Sequence, residues 1–369
     1  MGLTCCSMDV QPCLNLHRRV MLWPWVLVFR FKKVTGLPSV KHCSATCSRS
    51  NHTIGAMNGE VVKVPLISVV VPVYNKISTL SASLECLYQQ TFRNFEIIAV
   101  DDGSSDGSLE LLKRHERAGR LRLYRPATPG PGGHAARNHG AEQAKAEWLV
   151  FFDVDDLLLF DHLSCFADGI ARYPEIELFI NAYQKMKEHQ RLPRSEQIQS
   201  GVLERYDALM AFARYDFIHM NGACLRRDRF KALGGFPAER YRRGGDIYFW
   251  LKTLCNLETI YYNNVVTSLW QLEHSGITHD RNNLANIHPC VDVLSECENN
   301  LPWRERRQLR AAVNRKVLSW ALEKKRLGQS IRRDLASIRC SSMRLRHWLH
   351  MAMLLVPYPY YDKLKKWLK

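Results

Sequence analysis

The feature that most narrows what this chain can fold into is the stretch Trp148-Leu149-Val150-Phe151-Phe152-Asp153-Val154-Asp155-Asp156. Five apolar residues lead without a break into three carboxylates within four positions. A short, wholly apolar run of this kind reads as a strand buried on both faces, as in a parallel sheet covered by helices. Carboxylates crowded at the end of such a strand repel one another and lose hydration unless a cation sits between them. The stretch therefore predicts a divalent metal at the C-terminal edge of a sheet, where open α/β sheets receive their ligands. Capping of a following helix is the alternative use for such acids, and it would be the better explanation for a single Asp.

The sequence upstream supplies the other strands. Leu66 to Tyr74 is a nearly continuous apolar run, and Phe95 to Val100 is a second one that closes on Asp101-Asp102-Gly103-Ser104-Ser105-Asp106-Gly107. Leu121 to Tyr124 is a third, shorter one. Between them, Leu80, Leu84, Leu87 and Tyr88 recur at helical spacing within 78–90, and Asp106 or Ser108 is placed to cap a helix ending near Arg117. A loop dense in Pro and Gly, from Pro126 to Gly133, leads into a helix over 135–145. Strand–helix alternation in units of ~30 residues predicts an α/β fold with a doubly wound, mostly parallel sheet. Downstream, 178–182, 217–225 and 259–269 read as strands, 206–214 as a short helix, and 186–200 as a polar surface loop. Gly244-Gly245-Asp246 opens another helix with an acid in its first turn.

Charge divides the chain. The net charge is +16, yet residues 1–56 carry seven Lys/Arg against one Asp and residues 301–369 carry eighteen against four acids, so the middle is net negative. This argues against a nucleic-acid partner: the core is acidic, and no RNA- or DNA-binding module is readable. No uncharged apolar run approaches ~18 residues, so no membrane span is expected. Twelve cysteines show neither a disulfide nor a zinc framework, which suits a reducing cytoplasm. Residues 1–56 lack periodicity and are expected to be a poorly structured extension from an over-extended translation start, with Met57 opening the regular sequence. Residues 301–369 are expected to be helical, with Leu309, Val313, Val317, Trp320 and Ala321 on one face and basic residues on the other. Two uses fit that region equally: a packed tail with a solvated basic face, or an interfacial segment drawn to an anionic membrane surface.

Five motifs in order and spacing carry a resemblance. They are Val71-Pro72-Val73-Tyr74-Asn75, Val100-Asp101-Asp102-Gly103-Ser104-Ser105-Asp106, Ala136-Arg137-Asn138-His139-Gly140, Phe152-Asp153-Val154-Asp155-Asp156, and Gly244-Gly245-Asp246 with Trp250 behind it. Over residues 65–280 the chain resembles family 2 glycosyltransferases, inverting enzymes with a GT-A fold that binds nucleotide-diphospho-sugars. The resemblance implies donor contacts at Pro72, Tyr74, Asn75, Asp102, Arg137 and Asp153, with Tyr74 stacking on the base and Asp102 accepting from its imino N–H. It implies Asp155 as the main ligand of Mn²⁺ or Mg²⁺, assisted by Asp153 and by His274, and leaves Asp156 undecided. It makes Asp246 the base that deprotonates the acceptor hydroxyl. Gly245 stands where many relatives carry Glu, a departure that bears on acceptor contacts. Arg137 is open to a second reading as an internal scaffold ion pair, and Asp102 to one as a turn former.

These expectations divide the chain into a nucleotide-sugar half over 57–165, an acceptor half with the base over 166–280, and a helical basic C-terminal region over 281–369. The implied activity is transfer of a sugar, from a UDP-sugar for preference, to a hydroxyl of a glycan or lipid-linked glycan, at the inner membrane face. A non-enzymatic protein binding nucleic acid or a membrane surface is the competing class. A nucleotidyltransferase is disfavoured because the first strand ends in Pro72-Val73-Tyr74-Asn75 with no Gly-rich basic loop.

Overall fold

The computed structural model describes residues 64–126, 130, 133–273, 284–357 and 360. The expected N-terminal extension and the candidate ligand His274 lie outside these residues.

In chain order the elements that matter here are β1 (Ile67–Val73), α1 (Ile77–Tyr88), β2 (Phe95–Asp101), α2 (Ser108–Arg117), β3 (Arg122–Tyr124), α3 (Gly133–Glu142) and β4 (Trp148–Phe151). There follow β5 (Leu157–Leu158), α4 (His162–Arg172), β6 (Leu178–Lys187), β7 (Gln190–Arg191), β8 (Gly201–Glu204), α5 (Arg205–Phe212), β9 (Ala223–Arg226), α6 (Arg227–Ala232), α7 (Gly245–Asn256) and β10 (Thr259–Gln271). Helices α8 (Asp292–Cys297), α9 (Trp303–Arg326), α10 (Arg332–Ala336) and α11 (Leu345–Leu355) complete the described chain.

Among the described residues the strands form one sheet in the order β3-β2-β1-β4-β9-β6-β10-β5, with β7 on β6 and β8 on β10. Strands β3, β2, β1 and β4 are parallel, as the alternating sequence requires. Strand β9 then enters antiparallel to both β4 and β6, and β6 runs parallel to β10. The strand expected over 217–225 is thus only its last part. Met220–Gly222 turns as a 3₁₀ segment, because Asn221 points inward to bond the β4 loop and Gly222 lies so close to the Asn181 carbonyl that a Cβ would sit 2.7 Å from it. The polar segment expected as a loop over 186–200 begins inside β6 and holds the small hairpin partner β7.

Successive residues of β1 feed opposite faces, the period-2 rule of a strand. Val69, Val71 and Val73 join Leu80, Leu84 and Leu87 of α1 and Phe166 of α4 in one core. Val70 joins Val100, Ala136 of α3, Phe212 of α5 and Trp250 of α7 in the other. Gly140 lets α3 lie directly on the sheet: a Cβ there would come within 2.4 Å of Val70 Cγ1 and 3.2 Å of Val100 Cγ2. The second core also takes in Leu309, Val313, Val317, Leu318 and Ala321 of α9 with Met353 and Leu354 of α11. The basic C-terminal region therefore packs its expected apolar face onto the same core as α5 and α7, and its helices are part of the domain's interior.

Candidate active site

The carboxyl ends of β1, β2 and β4 lie side by side, in register through Val73↔Asp101 and Val70↔Phe151. Pro72 is inside β1 opposite Val100, while Tyr74 and Asn75 reach the edge. Tyr74 is 59 % exposed. Asn75 takes a left-handed conformation (φ 51°), one of the conformations Asn tolerates best outside Gly. Its backbone N–H donates to Ser104 Oγ at 3.0 Å, and its side-chain oxygen accepts from Ser105 N–H at 2.8 Å. This side chain ties the β1 turn to the β2 turn.

Asp102 follows β2 and is buried; its N–H donates to the Val73 carbonyl at 2.8 Å. One carboxyl oxygen accepts the Gly130 N–H at 2.8 Å, anchoring the Pro/Gly loop at the sheet edge. Burial, only partly opposed by that hydrogen bond, raises its pKa. Asp101 is wholly buried beside Arg125 (3.4 Å) and accepts the Ser104 N–H, so of this pair it is Asp101 that holds the turn.

The three acids after β4 have three separate fates. Asp153 pairs with Arg137 of α3, and its N–H donates to Asn221 Oδ1 at 2.9 Å. Burial works to raise the Asp153 pKa, but the Arg137 guanidinium outweighs it and holds the carboxyl below the usual carboxylate range. Asp155 accepts from Lys76 Nζ at 2.7 Å. Its pKa is raised, first by burial and then by the charge of Asp153, with Lys76 offsetting only part. Asp156 is 2 % exposed, accepts from Asn221 Nδ2 at 2.7 Å and from the Gln271 N–H at 2.8 Å, and is pushed far up by burial and by its two neighbours' charges. It fastens β4 to the 220–222 turn and to the end of β10, the position of a structural acid.

A divalent cation fits this arrangement. Asp155 and Asp153 both offer hard oxygen donors at the edge, each beside one cation, and Asp155 also feels the charge of Asp153. Among the described residues no three His, Cys, Asp or Glu side chains converge as a ligand set. A Mg²⁺ site of one or two carboxylates, its shell completed by water and substrate phosphates, does not require such a set.

Gly244, at φ 80°, turns the chain into α7, and half-buried Asp246 lies in the first turn. Two histidines join it to the acids of β4. His134, in the first turn of α3, stacks on Phe236 (5.5 Å, 18°) and lies against Gly245, where a Cβ would meet its Nε2 at 2.7 Å. His219 stacks on Tyr183 (4.8 Å), faces Trp270 (5.1 Å) and stands 3.9 Å from Asp156. Burial lowers both imidazoles to about 4, and both feel the charges of Asp153 and Asp246. Both imidazoles thus lie within the electrostatic reach of Asp153 and of Asp246. Asn138 holds the Phe236 backbone, beneath the His134 ring, through both N–H and C=O, at 2.9 and 2.8 Å. Two cavities elsewhere, of ≈ 200 Å³ beside Cys255 and Cys297 and ≈ 660 Å³ beside Tyr88 and Arg120, contain none of these acids. The site is located by its carboxylates, not by enclosure.

Sequence reasoning missed Lys76, His134, His219 and Asn221. Lys76 follows Tyr74-Asn75 at a strand end and could have been named. The other three are buried polar groups whose partners lie on distant segments, and no local pattern marks them.

A mostly parallel sheet that carries acids at its carboxyl edge, with an antiparallel strand inserted before its second half, defines a nucleotide-diphospho-sugar transferase fold of GT-A type. Solved structures share it. The S. aureus TarS 1–349 complex with UDP-GlcNAc aligns over 74 % of this chain and 88 % of its own at TM-score 0.53 and 17 % identity. The Pyrobaculum calidifontis mannosyltransferase PcManGT, in complex with GDP-Man and Mn²⁺, aligns over 83 % and 84 % at TM-score 0.54 and 20 % identity. Residues 68–234 match the model of glycosyl transferase family 2. Relatives include an uncharacterized glycosyltransferase of Haemophilus influenzae, 36 % identical over 28 % of this chain and 41 % of its own length. Another, the poly(ribitol-phosphate) beta-glucosyltransferase of Bacillus spizizenii, is 38 % identical over 25 % of this chain and 15 % of its own. The chain spans less than half the length of these curated relatives.

Proposed function

We propose that this protein is an inverting glycosyltransferase that moves a sugar from a nucleotide-diphospho-sugar to a hydroxyl of a glycan or lipid-linked glycan. The observation that carries this reading is the gathering of Tyr74, Asp102, Asp153 and Asp155 at the adjacent carboxyl ends of β1, β2 and β4, where an open α/β sheet receives its ligand. The donor nucleotide lies along the β1, β2 and β4 ends, its base against exposed Tyr74 and near Asp102. Pro72 and Asn75 shape the β1 end beneath it. Arg137 and Lys76 hold Asp153 and Asp155 in place, and their N–H groups would also donate to the diphosphate when it arrives. Asp155 and Asp153 would hold Mn²⁺ or Mg²⁺, which when bound neutralises charge on the departing nucleoside diphosphate. Asp246 takes the acceptor's proton as its oxygen attacks the anomeric carbon, and one such carboxylate suffices for inversion. A positioned base is worth roughly 10²–10⁴-fold in rate.

Complexes of solved neighbours with UDP-GlcNAc and with GDP-Man support a sugar-nucleotide donor, and a uridine nucleotide is the first choice. Among the described residues no helix is long and apolar enough to cross a membrane. We assign the protein to the cytoplasm, at the inner membrane face. A thermal-shift panel of nucleotide-sugars with Mn²⁺ tests the donor assignment, and Asp246→Asn tests the base. The expected variant binds donor as the wild type does and loses transfer by about 10²-fold or more. Loss of donor binding in that variant would overturn its role.

A further inference from the structure

Helix α11 has two apolar faces. His347, Met353 and Leu354 are buried, the last two in the core beneath α9 and α5. On the other side Leu345, Trp348, Leu349 and Leu355 are 78, 53, 52 and 85 % exposed, and Ala352 between them is exposed too. These positions recur at i, i+3, i+4, i+7 and i+10, one stripe along the helix, so the core has claimed one side and left a second, contiguous apolar side in solvent.

Arginines crowd the place where α11 and α9 meet the 213–216 turn. Arg346 donates to the carbonyls of Ala213 and of Arg214 (3.0 Å), and Arg315 donates to those of Phe212 (2.9 Å) and Tyr215 (3.1 Å) and to Asp216 (2.6 Å). Arg344 donates to Gln308, and Arg214 and Arg307 stand in the same field. The Nε groups of Arg315 and Arg346 are buried without a hydrogen-bond partner. Burial and then the charges of Arg315, Arg344 and Arg214 press Arg346 down to about 10. Asp216 is the acid among these contacts, and it is shared with Lys316. Guanidinium groups gathered in this way favour phosphate oxygens.

We propose that α11 docks the protein onto an anionic phospholipid surface. The Leu345–Leu355 stripe enters the headgroup–acyl boundary, and the positive field of exposed Arg214 and Arg307 with half-buried Arg344 and Arg346 draws the anionic surface. Trp and Leu beside Arg form the usual composition of an interfacial helix. A second copy of the chain fits this face poorly, since self-pairing would bring the same arginines together. Docking also has a geometric consequence that rests on the transferase reading. The 213–216 turn held by Arg346 and Arg315 accepts the Tyr183 hydroxyl on the Asp216 carbonyl at 2.7 Å, and Tyr183 stacks on His219 of the candidate site. A bilayer at α11 therefore places headgroups beside the acceptor half, where a lipid-linked acceptor would present its sugar.

The test is vesicle flotation of the full chain without nucleotide, on phosphatidylcholine alone and with about 30 % phosphatidylglycerol. The wild type is expected to float with the anionic vesicles, and Leu345→Asp/Leu349→Asp to bind them at least about tenfold more weakly while keeping the wild-type circular dichroism. If that variant does not fold, quenching of the wild type by brominated phosphatidylglycerol is compared with Trp348→Phe, which is expected to lose part of the quenching. Undiminished flotation of the folded stripe variant, equal binding to neutral vesicles, identical quenching in Trp348→Phe, or a wild-type dimer that the stripe substitutions dissociate would each overturn the proposal. Thermal shifts with nucleotide-sugars on the same samples report on the transferase reading separately.

Discussion

Gly245→Ala is the most informative single substitution. The added Cβ would lie 2.7 Å from His134 Nε2, 3.1 Å from His134 Cδ2 and 3.1 Å from Pro237 Cγ. The ring cannot swing away freely, because it is buried and stacked on Phe236 at 5.5 Å. Overpacking of this kind costs about 1–3 kcal/mol. Against it, Ala in a helix gains up to about 1 kcal/mol over Gly. The clash wins, and the expected net loss is about 1–2 kcal/mol, worth about 2–8 °C in Tm. The decisive assay is a double-mutant cycle with His134→Ala, followed by urea denaturation. Once the ring is gone the remaining close approach is to Pro237 Cγ at 3.1 Å, so Gly245→Ala should cost much less, with a coupling of about 1 kcal/mol or more. Additivity within about 0.5 kcal/mol, or a single variant more stable than wild type, would refute the argument that the imidazole fills the space beside residue 245.

Three further outcomes are expected. Asp155→Ala should abolish the Mn²⁺ dependence of nucleotide-sugar binding in calorimetry, whereas Asp156→Asn should leave that dependence in place. Asn221→Ala strips Asp156 of its Nδ2 donor and Asp153 N–H of its acceptor, so it should destabilise by about 2–3 kcal/mol in chemical denaturation; a loss below about 0.5 kcal/mol would contradict the bridging role. His162 is fully buried on Thr267 Oγ1 (2.8 Å), and burial lowers its pKa to about 3. The unfolded chain binds this proton near pH 6.5 and the folded chain does not, so stability should fall as pH drops from about 6.5 toward 3. His162→Gln should flatten that slope by about one proton.

The donor half was legible because each of its strands is a short apolar run ended by its own polar signal, as at Asn75, Asp101-Asp102 and Asp153. The expectation that Asp246 shares a site with those acids came from the family resemblance, since nothing local ties α7 to β4. Strand β9 was misjudged because the apolar run from Phe217 gives no sign that Asn221 turns inward. Asp156 was indistinguishable in sequence from its neighbours: whether a carboxylate faces solvent or a buried amide is decided by β10 and the 220–222 turn, which arrive from far along the chain. The separateness given to the C-terminal region reflected its charge, which says nothing about the apolar side that α9 buries.

The antiparallel insertion of β9 has a consequence for how the protein is made. Strands β1 to β4 find one another within the first part of the described chain, and α3 can close over them at once. Strand β6 cannot join them, because its place in the sheet is reached only through β9, and its other long neighbour, β10, comes later still. On a ribosome the nucleotide-binding edge can form while β6 remains open on both sides, until residue 226 and then residue 271 emerge. Synthesis halted between those points would leave a folded donor edge beside exposed, strand-forming sequence, the state most exposed to aggregation and to chaperone capture.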